Sequence, residues 1–503
     1  MADLVTLKLL PADFTCQVPR GTPLHDILYK YGIEFPCGGR GRCGGCRVKL
    51  LRGALPAAPG KDYRLSQADI DAGWRLCCKH VAENDLVLEV KQWESVVLVD
   101  NTPFAFTPSH GRGVAIDIGT TTLAAQLLDL ETGHVLAVRT AKNPQGKYGA
   151  DIMSRISYSV QEKGQHHLQQ LIRQQLHEMI EQLLHDATAS DEPLTRVTLV
   201  GNTPMQHLFC GIDVTPLAHV PFEPREHGIR RFSPADLGWN LPGSATVIFL
   251  PNLGSFVGSD ILAGVLATRV HESERLTVFV DLGTNGEMVV GTRDRLLCAS
   301  TAAGPAFEAA RISMGMQATT GAISEVSVHD RQMHCRVLGG GEARGICGSG
   351  LVDAAAAALE LGFIESSGRF VDGIAELDLQ APVKLVQADL RELQLAKGAV
   401  AAGIRILLKQ LGYRKEDVTQ VLVAGAFGNY IRLGSAKRIG LLDFPLEQIK
   451  AVGNTALLGA KLALFMSDAE LDALDGFSQR IRHVPLHADP EFQDIYVDEM
   501  FYP

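Results

Sequence analysis

At 503 residues the chain is too long for one ordinary hydrophobic core, so we expect two to four domains. Hydrophobic residues make up 46% and charged residues 21%, the proportions of a globular protein, and the formal net charge of −10 argues against non-specific nucleic-acid binding. No apolar run reaches membrane-spanning length and no basic, apolar leader is visible, so we expect a cytoplasmic protein without nucleic-acid or membrane partners.

Residues 1–95 follow the element order of a small sheet domain. The segments LVTLKLL and FTCQV predict two strands, and TPLHDILYKYG predicts a short helix. A cysteine-bearing loop and two further strands, GCRVKLLRG and DLVLEVKQ, complete the unit. This order resembles that of a β-grasp ferredoxin. Residues 96–112 are rich in proline, glycine and polar residues and predict a linker.

The cysteine loop predicts a 2Fe–2S cluster of the plant or adrenodoxin type. FPCGGRGRCGGCRVKL spaces Cys37, Cys43 and Cys46 as C-x5-C-x2-C, and GWRLCCKH adds a distant fourth thiol. Thiolates ligate iron, and the surrounding glycines allow the backbone to approach a cluster closely. A structural zinc site is the alternative, but zinc ribbons usually pair two C-x2-C knuckles. Of Cys77 and Cys78, the similarity of RLCC to the ferredoxin ending RL-x-C favours Cys78 as the fourth ligand.

Beyond the linker, glycine-punctuated strands alternate with longer helical stretches, which is typical of α/β architecture. GVAIDIG predicts a strand that ends near Asp117, and residues 150–188 read as helical. The pattern restarts at LTVFVDLGTNGEMVVGT, where Asp281 takes the place of Asp117. We therefore expect a first lobe at 113–275, a second lobe at 276–480 and a tail at 481–503 packed on them.

Two Asp-Gly-Thr segments, AIDIGTTT and FVDLGTNGEM, predict phosphate-binding hairpins. Such a turn presents N–H groups and hydroxyls to phosphate, while Asp117 or Asp281 holds Mg²⁺, often through water. One such hairpin is a weak indication because Asp and Gly favour turns generally, but two in one chain are stronger. The predicted phosphate contacts are Gly119, Thr120, Thr121, Gly283, Thr284 and Asn285.

A third segment, VLVAGAFGN, runs a buried strand into glycines and predicts that Gly425 and Ala426 lie beside an adenosine. Glu287 either orients a hydrolytic water or points outward from its hairpin. Neither a Walker A motif nor a dinucleotide fingerprint is present. Over about 113–466 the set of loops resembles the superfamily of acetate and sugar kinases, Hsp70 and actin, whose members close two ribonuclease-H-like lobes over ATP.

The resemblance implies an α+β and α/β multidomain fold, with an N-terminal β-grasp 2Fe–2S ferredoxin followed by a two-lobed ATPase. That combination resembles the reductive activators of corrinoid proteins. The segments NPQGKYGADIMSRI, GNTPMQHLF, STAAGPAFEAARISMGM and ICGSGLVDA are also similar to that family, so the likeness covers essentially the whole chain.

The resemblance implies an ATP-hydrolysing reductase that passes an electron from its cluster to an inactive Co(II) corrinoid protein of a methyltransferase system and restores Co(I). The implied cofactors are the 2Fe–2S cluster, ATP and Mg²⁺. The implied partners are the corrinoid protein and an upstream donor, namely a ferredoxin, a flavodoxin or a reductase. A homodimer is compatible with the resemblance.

Three alternatives stay open from sequence. The first is a ferredoxin-fused small-molecule kinase, for which no distinct catalytic base is recognisable. The second is an ATP-driven electron donor to a non-corrinoid metalloenzyme, like the activators of hydroxyacyl-CoA dehydratases, which use a shared 4Fe–4S cluster. The third, an actin-like scaffold, leaves the cluster unexplained. The loop of Ser300, Thr301 and residues 304–307 either approaches a partner or forms a buried turn, and Cys347 is expected to be buried at a helix start.

Overall fold

A computed structural model describes residues 3–10, 14–29, 47–56, 65, 67–90, 106–149, 151–187, 192–241, 244–283, 285–309, 311–316, 318 and 321–503. The predicted cluster ligands Cys37, Cys43 and Cys46, the predicted phosphate contact Thr284 and most of the predicted linker lie outside these residues. Among the described helices, none combines the length and the apolar character needed to cross a membrane.

The N-terminal domain is built on a five-stranded sheet in the order β2-β1-β7-β4-β5. Strands β1 and β7 are parallel, and the other pairs are antiparallel. The elements are β1 Leu4–Leu10, β2 Phe14–Pro19, β3 Thr22–Pro23, α1 Leu24–Tyr29, β4 Arg47–Arg52, α2 Gln67–Asp71, β5 Trp74–Leu76, β6 Val81–Ala82 and β7 Leu86–Val90.

The alternation of buried and more exposed side chains along β1 explains how the sheet packs against α1. Val5, Leu7 and Leu9 are buried on one face of the strand, where they join Leu24 and Leu28 of α1 in a single core. Successive side chains of a strand point to opposite faces, so one buried face is enough to seat the helix. The β-grasp prediction is confirmed.

The first lobe contains a six-stranded sheet in the order β10-β9-β8-β11-β13-β12. Strands β8, β9 and β10 form an antiparallel meander, and β11 and β13 extend the sheet in parallel from β8. The elements are β8 Arg112–Ile118, β9 Thr122–Asp129, β10 Val135–Lys142, α3 Ile152–Gln161, α4 Gln165–Asp186, β11 Leu194–Val200, α5 Thr203–Cys210, β12 Arg230–Phe232, β13 Thr246–Phe249 and α6 Ser259–Thr268.

The second lobe contains the sheet β23-β22-β14-β15-β16-β24. Read from β16 to β23, five of its strands repeat the order β10-β9-β8-β11-β13 of the first sheet, and the sixth strands, β12 and β24, lie at opposite edges. Strands β14, β15 and β16 form the meander, and β22 and β23 extend it in parallel from β14. The elements are β14 Thr277–Leu282, β15 Gly286–Thr292, β16 Arg295–Thr301, β17 Ala322–His329, β18 Gln332–Val337, β19 Gly345–Ile346, α7 Gly348–Leu361, β20 Glu376–Gln380, β21 Val383–Val386, α8 Gln387–Leu411, β22 Gln420–Ala424, α9 Gly425–Tyr430, α10 Leu433–Arg438, β23 Ile449–Gly453, α11 Thr455–Leu464, α12 Asp468–Ser478, β24 Ile481–His483 and α13 Phe492–Met500.

The shared order explains the similarity between the segments around Asp117 and Asp281: each aspartate lies near the end of the first strand of its sheet, immediately before the turn into the second. The predicted pair of ribonuclease-H-like lobes is therefore confirmed.

Helix α11 crosses from the second sheet to the first. Although it follows β23, its apolar residues pack with those of the first sheet and α6, including Ala456, Ala460 and Leu464. The hydroxyl of Thr198 on β11 donates to the carbonyl of Ala460 over 2.7 Å. This helix therefore belongs to the contact between the lobes. After it, β24 pairs with β16 and α13 packs on α8.

Candidate functional site

The first predicted phosphate loop is the turn between β8 and β9. Asp117 is half-buried near the end of β8, Thr120 is buried and Thr121 is exposed. A Cβ at Gly119 would lie 2.4 Å from the carbonyl oxygen of Thr122, so only glycine fits this tight turn. The amide of Asn202, at the start of α5, donates to the Thr120 hydroxyl over 3.0 Å.

Close backbone packing sets α6 beside this loop. A Cβ at Gly258 would lie 2.2 Å from the carbonyl oxygen of Gly201, which also accepts hydrogen bonds from Ser259. This contact holds the start of α6 next to the strand end of the first sheet. Asp260, in the first turn of that helix, is thereby brought to the site.

The second loop joins β14 to β15 and touches the predicted adenosine segment. Asp281 and Glu287 face each other in register across the hairpin, and Gly283 donates to the carbonyl of Asn285 over 3.1 Å. Gly425 has a φ of +87°, and a Cβ there would lie 2.5 Å from Asp281 Oδ1. A side chain at 425 would therefore collide with this carboxylate.

The lobes bring four carboxyl groups together: Asp117, Asp260, Asp281 and Glu287. Burial raises the pKa of Asp260 to about 8, with Asp117 and Asp281 adding to the effect. Burial also raises the pKa of Asp281 to about 6. Burial and the three aspartates raise the pKa of Glu287 well above its usual range. Burial is the largest cause in all three cases, so Asp260, Asp281 and Glu287 lie in a poorly solvated region close enough to Asp117 for its charge to act on Asp260 and Glu287.

The carboxyl groups fit a cation that is held partly through water or ligand oxygens. Among the described residues, no three acidic, histidine or cysteine side chains converge closely enough to hold one ion by themselves. Glu287 is 7% exposed, however, and its buried Oε1 has no hydrogen-bond partner in the described chain. Magnesium usually keeps several waters and binds one or two carboxylates plus phosphate oxygens.

Sequence reasoning missed Asp260 and left Glu287 undecided. Asp260 stands in GSDILAG, without a hairpin motif, and nothing in its neighbours along the chain relates it to Asp117. Its only local signal is an acidic residue in the first turn of a helix, which is also a common stabilising feature. The burial of Glu287 excludes the outward-facing interpretation.

The remaining predicted residues fall as follows. Ala426 lies in the first turn of α9, next to Gly425. Ala306 and Phe307 are buried, and Phe307 stacks on Phe427 of α9 with ring centroids 4.7 Å apart. Ala306 and Phe307 therefore form a buried part of the segment 304–307 behind the predicted adenosine loop, whereas Gly304 is half-buried. Cys347 is buried and precedes the first residue of α7, as expected.

The two candidate fourth cluster ligands differ in burial. Cys77 is completely buried in the core of the N-terminal domain, whereas Cys78 is half-buried at its edge. Both lie in the 3-10 turn Cys77–Lys79 that follows β5. Cys78 also packs against the core, but of the two cysteines it alone has part of its surface exposed. That geometry fits a cluster ligand at Cys78.

Three families match the chain in succession. Residues 7–83 match the 2Fe–2S iron–sulfur cluster binding domain, residues 112–273 match the RACo middle region, and residues 275–503 match the C-terminal domain of RACo, the ASKHA domain. The N-terminal domain is thus a 2Fe–2S domain by family, and the second lobe belongs to a nucleotide-binding fold.

Two curated relatives and one solved structure resemble the chain over most of its length. The corrinoid activation enzyme RamQ of Eubacterium limosum is 33% identical over 438 residues, which cover 80% of this chain and 73% of the relative. The Co(II) methylated amine-specific corrinoid protein reductase of Methanosarcina barkeri is 29% identical, with 78% and 77% covered.

A solved structure described as a reductive activator for corrinoid, iron–sulfur protein is 26% identical. It superimposes with a TM-score of 0.70 and covers 99% of this chain and 98% of its own. Fold, domain families and relatives agree. The chain belongs to the family of corrinoid activators that join a 2Fe–2S domain to an ASKHA domain.

Proposed function

We propose that this protein is an ATP-hydrolysing reductase that transfers an electron from an N-terminal 2Fe–2S cluster to the Co(II) of a corrinoid protein. The product is the Co(I) form that accepts a methyl group. The observation that carries the proposal is the joining, in one chain, of a 2Fe–2S domain to two lobes whose carboxylates meet at one site. Neither a simple ferredoxin nor a simple kinase needs both parts.

The nucleotide is assigned to the loops that the lobes bring together. Asp117 and Asp281 would hold Mg²⁺ through water and phosphate oxygens, and the ion when bound would neutralise phosphate charge. The turn at Gly119–Thr121 and the turn at Gly283–Asn285 would bind the phosphates through backbone N–H groups and hydroxyls. Gly425 and Ala426 would lie beside the adenosine.

Two carboxyl groups are suited to act on water during hydrolysis. Glu287 keeps a buried oxygen without a partner in the described chain, and its raised pKa makes it a better base once its proton is lost. Asp260 faces the same region from the opposite lobe. In this proposal Glu287 orients the attacking water and Asp260 supports the hydrated cation.

ATP matters because the electron transfer is uphill. A plant-type 2Fe–2S cluster supplies one electron at about −400 mV, and the acceptor couple implied by the family lies lower. Nucleotide shifts a conformational equilibrium only when it binds the two states differently. Since Asp117 and Asp281 belong to different sheets, opening the lobes separates the site, and closing them completes it.

The cluster is assigned to Cys37, Cys43, Cys46 and Cys78. The burial of Cys77 in the domain core supports Cys78 as the fourth ligand. Recharging after each transfer requires an upstream donor such as a ferredoxin, a flavodoxin or a reductase. We assign the acceptor as a corrinoid protein of a methyltransferase system.

The decisive experiment is anaerobic. Reduced protein is mixed with a Co(II) corrinoid protein, with and without MgATP, and Co(I) is followed by its visible spectrum. We expect Co(I) to accumulate only with ATP. The variant Cys43→Ser should lose electron transfer and keep nucleotide binding, while Cys16→Ser, outside the predicted ligand set, should keep both.

The two rivals give different results in the same experiment. A donor to a non-corrinoid enzyme would hydrolyse ATP without forming Co(I) with any corrinoid protein. A small-molecule kinase would transfer the γ-phosphate to an acceptor and would be indifferent to Cys43→Ser. Loss of nucleotide binding together with electron transfer in Cys43→Ser would contradict the two-module assignment.

A further inference from the structure

Arg155 is a buried arginine placed directly behind the first phosphate loop. It lies on α3 and is 1% exposed. Its Nη2 donates to the carbonyl oxygen of Thr120 over 2.6 Å, and its Nε donates to the carbonyl oxygen of Gly149 over 2.9 Å. Its Nη1 donates to Oε1 of Gln145 over 3.3 Å. The guanidinium is thus fastened to the loop by a short, charge-assisted hydrogen bond.

No carboxylate in the described part of the chain forms an ion pair with Arg155. Burial lowers its pKa to about 10, an effect that Asp151 opposes, so the guanidinium stays charged at neutral pH. A buried charge without an ionic partner is destabilising unless something else compensates it. An apolar side chain of similar size would fill the same space without that penalty. The charge therefore points to a ligand or a backbone geometry that needs it.

The backbone of the loop shows what the arginine does. Three successive carbonyls of the loop accept hydrogen bonds from only two residues: Gly119 from Nδ2 of Asn143 at 2.9 Å, Thr120 from Arg155, and Thr121 from the backbone N–H of Asn143 at 2.9 Å. In a planar trans peptide the N–H points opposite to the carbonyl. Fixing the Thr120 carbonyl toward Arg155 therefore turns the N–H of Thr121 away from it.

Gln145 and Asn143 hold this arrangement in place. The amide of Gln145 donates to the carbonyl of Leu168 over 3.0 Å, and its backbone N–H donates to Oδ1 of Asn143 over 3.0 Å. Each side chain that touches the loop from behind is thus itself held by a hydrogen bond. A positive charge on a carbonyl also polarises that peptide and strengthens the N–H on its other side as a donor.

We propose that Arg155 is a positioning residue of the nucleotide site, which fixes the Gly119–Thr121 turn in its phosphate-binding form and offsets the phosphate charge from behind. The inference rests on the nucleotide site of the proposed function. It gives a role to the segment around Arg155, which lies outside the predicted phosphate and adenosine loops. The ligand chemistry is the β- and γ-phosphate of a nucleoside triphosphate, and Arg155 acts on it through the backbone.

The test compares Arg155→Met and Arg155→Lys with a matched control. Arg173→Met is suitable because Arg173, although only half-buried, is another arginine of the first lobe whose side chain donates to a backbone carbonyl, that of Phe209 over 2.9 Å. The affinities for MgATP and AMP are measured by calorimetry on the full-length protein, together with KM and kcat for ATP hydrolysis. Thermal unfolding verifies that each variant is folded.

We expect Arg155→Met to weaken MgATP binding by about tenfold or more, which is the loss of affinity expected when at least one interaction with the phosphates is removed. Binding of AMP, which lacks the β- and γ-phosphates, should change by less than about twofold. KM for ATP should rise more than kcat falls, Arg155→Lys should recover part of the affinity, and Arg173→Met should match wild type.

Equal losses for MgATP and AMP, or unchanged MgATP affinity in a folded Arg155→Met protein, would overturn the inference. If Arg155→Met does not fold, the test rests on Arg155→Lys. Wild-type selectivity for MgATP over AMP in Arg155→Lys would also overturn the inference. Failure of the proposed function looks different, because wild-type protein would then bind no ATP or would form no Co(I).

Discussion

Asn454 donates from Nδ2 to Oδ2 of Asp117 over 3.4 Å, and its Oδ1 accepts from the backbone N–H of Leu457 over 3.0 Å. One side chain thus caps helix α11 and contacts a site carboxylate that belongs to the first sheet. The helix packs on that sheet, while the strand before it belongs to the second. A movement of one lobe against the other would therefore change the contact between Asn454 and Asp117.

Replacement of Asn454 should separate its two roles. Asn454→Ala removes the cap and the contact with Asp117, so the free energy of unfolding should fall by about 1 kcal/mol and ATP hydrolysis should slow. Asn454→Ser keeps a capping oxygen but is too short to reach Asp117. It should keep the stability but hydrolyse ATP as slowly as Asn454→Ala, as measured by urea unfolding and phosphate release. A wild-type hydrolysis rate in Asn454→Ser would show that the contact is not functional.

Neutralising Asp260 should stabilise the metal-free protein and impair its activity. Asp260→Asn removes one of four mutually repelling carboxyl groups, so in EDTA its unfolding temperature should rise. Hydrolysis of MgATP should fall by about tenfold or more because the hydrated cation loses support. The control is Asp372→Asn, at an exposed position. Hydrolysis of ATP by Asp260→Asn at the wild-type rate would show that Asp260 is not part of the site.

The two adjacent cysteines should respond differently to substitution. Cys78→Ser should yield protein without the visible absorption of a 2Fe–2S cluster and with little bound iron, because three thiolates remain. Cys77→Ala should keep the cluster but lower the free energy of unfolding by about 1–2 kcal/mol, since a buried sulfur is lost from the core. Iron analysis and EPR of the reduced proteins distinguish the two. The opposite result would make Cys77 the ligand.

Buried His207 should make the ATPase lobes sensitive to acid. Burial lowers its pKa to about 4 in the folded state, against an ordinary value of 6.5. Between these values the unfolded chain binds a proton that the folded chain does not, so stability falls as the pH drops from 6.5 toward 4. The loss attributable to this group is about 3 kcal/mol at most.

The measurement is urea unfolding at pH 7, 5.5 and 4.5 for wild type and His207→Gln. The variant should lose stability less steeply with acid, although His483, whose pKa is also lowered to about 4 by burial, still contributes. His166→Gln, at an exposed position of the same lobe, serves as the control and should follow wild type. Identical slopes in wild type and His207→Gln would contradict the assignment.

The positions of the two predicted phosphate loops were predictable because each loop is local in sequence. A strand that ends near an aspartate, followed by a Gly-Thr turn, is visible in consecutive residues, and the structure places both aspartates at matching points of two sheets that share the order of five strands. Gly425 was recognisable for the same reason, since a strand running into glycines shows in a short window. The fold followed from these repeated local patterns.

The burial of Glu287, the approach of Asp260 and the contacts of Arg155 and Asn454 were decided by tertiary structure. Asn454 and Asp117 are 337 residues apart, and Arg155 lies 35 residues from the carbonyl that it holds. Nothing near Asp260, Arg155 or Asn454 in sequence marks them, because an ordinary helix start or helix face carries the same residue types. Their roles depend on the exclusion of solvent by packing and on charged groups that packing brings close together. Neither can be recognised in a short stretch of sequence.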